Sequence, residues 1–309
     1  MENAELYISL DGLSSQEVIE AAEKYTVFGR VSPEQKCLII RALKARRHTV
    51  AMTGDGVNDI LALKEADCSV AMASGSEAAT KISHLVLIDS NFTAMPDVVT
   101  EGRRVVNNIT KSASLFLMKT FMSIVLSIIF ILLGEAYPLQ TNNLLLLEMF
   151  VIAIPSFMLA LQTNTNRIKG NFLSNVCSRT LPGGIALVIS IMSIYFYKGI
   201  TAKLYGAEFL PSESYTAMIV LALALTGVMV LAKNCEPFNF YRVFVVLVSL
   251  GLMIPVAVLL KENLGLASFY LKNPNNLTHL LFIGAMVMLS YFLVSILMKI
   301  LKNLKLLSD

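Results

Sequence analysis

Charged residues and cysteines are both scarce in this sequence of 309 residues. Charged residues make up 15% of it, against about 25% in typical soluble domains, while hydrophobic residues make up 55%. The formal net charge of +3 is too small to indicate a nucleic-acid partner. The four cysteines lie far apart and show no C-x-x-C spacing. This argues against a disulfide framework and against a zinc site.

The hydrophobic residues are unevenly distributed, and this divides the chain. Most acidic residues lie in residues 1–111, whereas residues 112–309 consist largely of apolar runs with short polar connectors. A chain of this length has room for two domains. We therefore expect a partial α/β Rossmann-like domain followed by an all-α bundle of six transmembrane helices.

The stretch Thr53–Asp59 carries the clearest chemical signal. It reads Thr-Gly-Asp-Gly-Val-Asn-Asp and follows Thr49–Met52, a short apolar segment that favours a β-strand. Glycines let a backbone approach an anion closely, and the helix predicted after the loop adds partial positive charge at its N-terminus. Asp55 and Asp59 would lie at the carboxyl edge of the strand, where open α/β sheets bind ligands. Paired carboxylates beside a phosphate site suit Mg²⁺. The alternative is an ordinary loop rich in glycine and aspartate.

Short β-prone segments alternate with helical segments through the first part of the chain. The expected strands are Tyr7–Leu10, Val27–Arg30, Thr49–Met52, Cys68–Met72 and Leu85–Ile88. This alternation predicts a parallel sheet with helices on both faces. Ser14 and Glu17 have the spacing of a capping box for the first helix, and Ser32–Pro33 is a typical start for the second. Lys36 lies in the first turn of the second helix, where a lysine is usually solvated. Beside the Gly-Asp loop it becomes a candidate phosphate partner.

Three motifs in order, Val31–Lys36, Met52–Asp59 and Ala62–Asp67, resemble the phosphorylation domain of P-type cation-transporting ATPases. That domain belongs to the haloacid-dehalogenase-like hydrolases. The resemblance covers essentially the whole chain, because a long stalk and six apolar spans also follow in that family. It implies a pump that uses ATP as substrate and Mg²⁺ as cofactor. Such a pump couples the formation and hydrolysis of an aspartyl-phosphate to cation transport.

The resemblance also implies catalytic roles in the first domain for Lys36, Thr53, Gly54, Asp55, Asn58 and Asp59. Asp55 would hold the Mg²⁺, and Asn58 and Asp59 would organise the phosphorylated site. Lys36 would neutralise phosphate charge. These roles agree with phosphoryl transfer, which depends on positioning and electrostatic stabilisation more than on covalent help from side chains.

Parts of the family pattern do not occur in this sequence. The nucleophilic aspartate of the family lies in an Asp-Lys-Thr-Gly-Thr motif, which is not found here. The nucleotide-binding domain, the actuator domain and the first four membrane helices are not found either. We therefore expect the chain to be the C-terminal part of such a pump, with those missing segments as its partners. The alternatives are a non-catalytic truncated or regulatory membrane protein that retains the fold, and a phosphatase fused to a membrane anchor.

The expected domains are residues 1–90 as the C-terminal part of the phosphorylation domain, 91–111 as a stalk helix and 112–309 as the transmembrane domain. The stalk runs into the first apolar run without a break, whereas a flexible linker would be richer in glycine, serine and proline. Six segments have the length of about 20 residues that spans a bilayer. They are 112–133, 143–162, 181–198, 215–232, 240–260 and 279–298. In the resembling family, six helices at this end are typical of pumps for calcium, sodium, potassium, protons and magnesium.

Basic residues in the connectors predict the orientation of these spans. With residues 1–111 in the cytoplasm, the inner connectors and the C-terminus carry Arg167, Lys169, Arg179, Lys233, Arg242, Lys299, Lys302 and Lys305. The outer connectors carry Lys198, Lys203, Lys261 and Lys272. The excess on the inner side predicts a multi-pass protein of the cell membrane, with residues 1–111 and the C-terminus cytoplasmic and the lipid bilayer as a partner.

Two ionisable residues fall inside the predicted spans, Lys119 in the first and Glu148 in the second. A charge inside a membrane is costly, so such a residue is a functional candidate by default. The alternatives are that Lys119 snorkels to the cytoplasmic interface and that Glu148 lies near the outer surface. We hypothesise that the two side chains pair when the cation site is empty, with Lys119 as a built-in counter-charge.

The candidate site for the transported cation consists of Glu148, Thr120, Ser123 and Pro155. Pro155 interrupts the helix of Glu148 and frees backbone carbonyls, which resembles the unwound sixth helix of the family. Compared with the calcium-pump pattern, Glu148 replaces an asparagine and Ile152 replaces an aspartate. Thr120 and Ser123 stand where calcium pumps carry an asparagine and a glutamate. These replacements remove oxygen ligands, so we expect one cation, or none held in the familiar way. The cation is expected to be calcium or another hard cation.

Incubation of this chain alone with radiolabelled ATP is expected to give no acid-stable phosphoenzyme, because the sequence contains neither the nucleophilic aspartate motif nor a nucleotide-binding domain. Acid quenching followed by gel autoradiography measures this, with a complete P-type pump as the positive control. Label that stays on the chain after the acid quench would contradict the expectation.

Overall fold

The computed structural model describes residues 6–168, 170–206, 209–267 and 275–303. Lys169, Lys272 and Lys305, which enter the orientation prediction, lie outside these ranges, and the side chain of Lys302 is not described either. The chain divides into two compact units, Met1–Val99 and Thr100–Asp309. Each unit is described by itself below.

The first unit alternates short parallel strands with helices, which confirms the predicted α/β class. Its strands are β1 (Tyr7–Ser9), β2 (Val27–Gly29), β3 (Ala51–Gly54), β4 (Cys68–Met72) and β5 (Leu85–Leu87). Its helices are α1 (Ser15–Lys24), α2 (Pro33–Ala45), α3 (Ile60–Glu65) and α4 (Glu77–Ile82). Ser14 and Ser32 close capping boxes at the starts of α1 and α2, as their spacing predicts.

The strands form two sheets instead of the one that simple alternation suggests. β1 pairs with β2, and β4 lies between β3 and β5 in a second sheet; all of these pairs are parallel. Each sheet has its own small core. Leu10 and Val18 are fully buried beside the first sheet, and Ala62 and Leu63 are fully buried beside the second. Alternation of strands and helices predicts parallel pairing but not which strands become neighbours.

Strand β3 also begins and ends two residues later than predicted. Thr53 pairs with Val70 and Gly54 pairs with Ala71, so the first two residues of the glycine-rich motif belong to the sheet. The loop proper therefore starts at Asp55. A short 3₁₀ turn, Val57–Asp59, then leads into α3.

The second unit is a bundle of long apolar helices. Among the described residues, six helical segments are long and apolar enough to cross a membrane, as the fold prediction requires. They are Phe92–Leu133, Thr141–Ala160, Phe172–Tyr205, Ser212–Asn234, Phe240–Leu259 and Asn276–Leu301.

The first of these segments is dominated by α5 (Met95–Leu133), a single helix of 39 residues. The second segment is built from a 3₁₀ turn (Thr141–Leu144), a π-helix (Leu147–Ala153) and α6 (Ile154–Ala160). The others are α7 (Phe172–Tyr205), α8 (Ser212–Asn234), α9 (Phe240–Leu259) and α10 (Asn275–Asn303). Helix α8 packs against α7, α9, α10 and the π-helix, which places it at the centre of the bundle.

Close helix contacts in the bundle depend on glycine. A Cβ atom on Gly184 of α7 would lie 2.4 Å from Cδ1 of Phe121 on α5. A Cβ on Gly227 of α8 would lie 2.5 Å from Cδ1 of Leu147. Small residues let helices in a membrane approach this closely, so that van der Waals packing holds them together. In contrast, a Cβ on Gly199, also in α7, would meet no atom within 4 Å.

The substitution Gly184→Ala is expected to destabilise the bundle by roughly 1–3 kcal/mol, the usual cost of overpacking a well-packed core. Gly199→Ala is the matched control in the same helix, and it should be neutral or slightly stabilising because alanine favours the helix. The midpoint of thermal unfolding in detergent measures both. Equal midpoints for the two variants would contradict the packing assigned to Gly184.

Candidate functional site

The loop after β3 presents one free carboxylate at the end of the strand. Asp55 is exposed, and its side chain makes no hydrogen bond or ion pair with any residue that the structure describes. Its backbone is fixed, since the carbonyl of Asp55 accepts a hydrogen bond of 2.7 Å from the N–H of Ser76. Asn58 is also exposed on this loop. A fixed backbone with a free carboxylate is suited to holding a ligand.

The second carboxylate of the loop, Asp59, is buried and held by Lys36. Lys36 Nζ donates to Asp59 Oδ1 at 2.6 Å, and the Asp59 side chain is only 11% exposed. The N–H of Gly56 points to the other carboxylate oxygen at 3.4 Å. Gly54 makes room for this side chain, since a Cβ on Gly54 would lie 2.6 Å from Cβ of Asp59. The structure thus brings Lys36, Gly54 and Asp59 together.

Helix α2 positions Lys36 through contacts at its N-terminus. Ser32 caps the helix by accepting from the N–H of Gln35 at 3.2 Å. Gln35 Nε2 in turn donates to the carbonyl of Leu10, the residue after β1, at 2.9 Å. Lys36 is the next residue after Gln35, and its side chain is 34% exposed. Part of its charge is therefore available to a second partner such as a phosphate.

The start of β3 is fixed by Asp67, the last residue of the third sequence motif. The N–H of Val50 donates to Asp67 Oδ2 at 2.9 Å, and this bond holds the pKa of the Asp67 carboxyl below its ordinary value. Lys44 Nζ lies 3.3 Å from Asp67 Oδ1 and also donates to the carbonyl of Glu65 at 2.7 Å. Because the folded pKa is lowered, this contact contributes stability at neutral pH that is lost as the pH falls through that pKa.

Gly75 is a part of the site that the sequence analysis missed. It lies after β4, next to β3 in the sheet, so the loops at the carboxyl ends of the two strands meet. A Cβ on Gly75 would lie 2.4 Å from the carbonyl oxygen of Asp55. The signal in the sequence was Ser74-Gly75-Ser76, one residue after the predicted strand Cys68–Met72. Without the order of the strands, its contact with Asp55 could not be predicted.

The residues present fit a Mg²⁺ site that is completed by other groups. Among the described residues, no cluster of three or more His, Cys, Asp or Glu side chains could hold a metal ion. Mg²⁺ usually binds one or two carboxylates and keeps waters and substrate phosphate oxygens as its other ligands. The free carboxylate of Asp55 suits this pattern, whereas Asp59 is already paired with Lys36.

The second membrane segment is interrupted, but by a π-helix instead of the predicted unwound stretch. The helix does not unwind around Pro155; instead it widens into the π-helix Leu147–Ala153 and continues as α6. The N–H of Ile154 bonds to the carbonyl of Met149, five residues earlier. Pro155 has no N–H, so it cannot continue this ladder. A π-helical turn absorbs the mismatch, and such turns are frequent at functional sites.

Glu148 lies in the first turn of this π-helix and forms an ion pair with Lys119 of α5. Both side chains are partly exposed, 33% for Lys119 and 41% for Glu148. The structure therefore places together the two charges that the sequence analysis paired.

The other candidate cation ligands are arranged less favourably. Thr120 is exposed, and its hydroxyl bonds back to the carbonyl of Phe116 in its own helix at 3.4 Å. Ser123 is half-buried one turn after Lys119 on α5, and Pro155 is buried. Side chains four residues apart share a helix face, so Ser123 follows Lys119 on one face while Thr120 points elsewhere.

Comparisons with known proteins find relatives of the α/β unit and of most of the chain. Two models of the haloacid dehalogenase-like hydrolase family match residues 3–67 and 37–98. A probable cation-transporting ATPase of Streptococcus pneumoniae is 39% identical over 254 residues, which are 79% of this chain and 32% of that protein. The calcium-transporting ATPase CtpE of Mycolicibacterium smegmatis is 38% identical over 248 residues, 76% of this chain and 31% of that protein. The chain therefore spans about a third of the length of these relatives.

The substitution Gly75→Ala is expected to displace the loop of Asp55, because the added methyl group would meet the backbone of that residue. Hydrogen exchange of the peptide that contains residues 53–59, followed by mass spectrometry, should show faster exchange in the variant. Gly56→Ala is the control, since a Cβ at Gly56 would meet its nearest atom at 3.8 Å. Unchanged exchange in Gly75→Ala would contradict the close approach of the two loops.

Proposed function

The chain is homologous to P-type cation-transporting ATPases over 76–79% of its length, and we propose that it forms the C-terminal part of an ATP-driven cation pump. Such a pump couples the formation and hydrolysis of an aspartyl-phosphate to the movement of a cation across a membrane. The observation that carries this proposal is the ion pair of Lys119 and Glu148 inside two membrane segments. A hydrolase fused to a simple membrane anchor would have no use for such a costly pair.

The first unit supplies the electrostatic part of phosphoryl transfer. Lys36 offers positive charge to the phosphoryl group, and its ion pair with Asp59 holds the ammonium in place. Asp55 would hold Mg²⁺, with Asn58 beside it on the same loop. Thr53 and Gly54, at the end of β3, fix where that loop begins. When bound, Mg²⁺ would neutralise negative charge on the transferred group. The attacking aspartate and the nucleotide-binding domain would come from the missing segments, which we propose as partners.

The membrane unit supplies the cation site. We propose that Glu148 binds the transported cation and that Lys119 replaces the cation when the site is empty. Lys119 would then act as a counter-charge that spares the carboxylate from being unpaired in an apolar surrounding. The π-helix Leu147–Ala153 is followed by Pro155 in the first turn of α6, and the missing N–H of this proline would leave a backbone carbonyl of the preceding turn free to face an ion. Ser123 could add a hydroxyl, whereas Thr120 would have to leave its bond to Phe116.

Calcium or another hard cation is the cargo that we propose. Carboxylate, hydroxyl and carbonyl oxygens are the ligands that hard cations prefer. The name of the Mycolicibacterium smegmatis relative states that it transports calcium. Helix α5 runs without interruption from Met95 into the membrane segment, so it is the element that we propose for coupling the two units. Residues 1–111 and the C-terminus would then be cytoplasmic.

Two substitutions in the complete pump are expected to change the apparent cation affinity in opposite directions. Glu148→Gln removes the ligand and should weaken activation by the cation, whereas Lys119→Met removes its competitor and should strengthen it. We expect each substitution to change the apparent affinity about tenfold, which corresponds to a change of about 1.4 kcal/mol in the free energy of cation binding. ATP hydrolysis in reconstituted vesicles, titrated with Ca²⁺, Mg²⁺, Na⁺ and K⁺, measures the affinity.

Glu213→Gln is the control for these substitutions, because Glu213 is an exposed carboxylate in the first turn of α8, outside the pair. It should leave the titration unchanged. A Glu148→Gln pump with the same cation dependence as the unmodified pump would rule out Glu148 as a ligand.

A further inference from the structure

A polar cavity in the membrane unit has neither Lys119 nor Glu148 in its lining. It has a volume of about 470 Å³, within the range of about 300–1,000 Å³ that is usual for small-ligand pockets. Residues of helices α5, α7 and α9 and of the α6–α7 and α8–α9 connectors line it. Its lining includes Asn107, Lys111, Asn164, Arg167, Arg179 and Arg242.

The cavity is lined by a buried lysine, Lys111. Lys111 is 6% exposed, and its Nζ atom makes no hydrogen bond with any residue in the described part of the chain. Arg242, also in the lining, is 7% exposed, and Arg179 is half-buried. Three positive side chains thus come from three different helices to one cavity.

No carboxylate of the described residues forms an ion pair with these three cations. Glu236 is the acidic side chain in the lining, and it is paired with Lys233 at 2.8 Å. Arg242 is held by neutral groups, since its Nε donates to Gln162 Oε1 at 3.0 Å and its Nη1 donates to the carbonyl of Pro237 at 2.7 Å. These bonds leave the remaining N–H groups of the guanidinium for another acceptor.

The wall of the cavity is built by specific contacts. Two adjacent asparagines of α5 hold the connector in place. Asn107 Nδ2 donates to the carbonyls of Asn164 and Asn166 at 3.1 and 2.9 Å. Asn108 Nδ2 donates to the carbonyls of Ala160 and Gln162 at 3.0 and 2.8 Å. These bonds fix the connector that forms one side of the cavity.

We propose that this cavity binds a phosphate-bearing anion, held by Lys111, Arg179 and Arg242. Burial of an ammonium group without a partner is unfavourable, and the oxygens of a phosphate can accept hydrogen bonds from ammonium and guanidinium groups together. Basic pockets between transmembrane helices on the cytoplasmic side bind lipid headgroups. In the proposed orientation, Arg179 and Arg242 lie in the cytoplasmic parts of α7 and α9. Lys111 directly precedes the predicted span 112–133 of α5. The anion is either the headgroup of an anionic phospholipid or free inorganic phosphate.

Experiments on the purified chain can tell the two sources apart. They measure binding without ATP hydrolysis, so their outcome does not depend on the transport proposal. The midpoint of thermal unfolding is compared in nanodiscs of phosphatidylcholine with and without phosphatidylglycerol. In a parallel series, the chain in neutral detergent is titrated with inorganic phosphate against chloride at equal ionic strength. A rise with phosphatidylglycerol identifies the lipid, and a rise with phosphate alone identifies the free ion.

The variants test whether this cavity is responsible. Lys111→Met should weaken the stabilising anion by about tenfold or more, as expected for the loss of a charge-assisted hydrogen bond. Arg179→Gln should weaken it in the same direction, and Lys111→Arg should retain binding. Lys299→Gln is the control for general surface attraction, because Lys299 is an exposed cation of α10 outside the lining.

An unmodified chain that neither anion stabilises would overturn the proposal. So would a Lys111→Met variant that retains the full shift, or a Lys299→Gln variant that loses as much of it. If Lys111→Met does not fold, the comparison of Arg179→Gln with Lys299→Gln decides in the same way.

Discussion

The cost of placing a positive charge inside an apolar helix bundle is the constraint on which the membrane unit depends. Helix α5 carries two lysines near or within its membrane segment, and they meet this cost differently. Lys119 has a carboxylate partner, Glu148, in the neighbouring π-helical segment. Lys111 is more deeply buried and has no partner among the described residues. We propose that a cation replaces Lys119 beside the Glu148 carboxylate and that an anion binds Lys111.

The first unit also holds charged side chains in fixed positions, here beside the proposed phosphate site. Lys36 is fixed by Asp59, while the Asp55 carboxylate next to it has no partner among the described residues. One carboxylate thus organises the positive charge and the other remains available for Mg²⁺. The close approach of Gly75 to Asp55 holds the free carboxylate at the end of β3. Phosphoryl transfer depends on such fixed charges, so this arrangement fits the proposed chemistry.

The sequence was sufficient for the α/β class, the six apolar helices and the pairing of Lys119 with Glu148. Those predictions rest on local alternation, on segment length and on the cost of charge in a membrane. It did not predict the division of the strands into two sheets or the role of Gly75, because both depend on which strands are neighbours. It predicted that Pro155 would break the helix, but not that a π-helix would absorb the missing hydrogen bond. The burial of Lys111 without a partner among the described residues depends on how distant helices pack, and no local sequence pattern contains this information.

We propose that the membrane unit moves a cation at the expense of ATP when the complete pump is assembled. Elemental analysis of sealed vesicles that contain the complete pump, before and after ATP is added, tests this most directly. The account predicts that Ca²⁺ or another hard cation accumulates against its gradient, and that an Asp55→Asn pump accumulates none. ATP hydrolysis without a change in the content of any cation would contradict it.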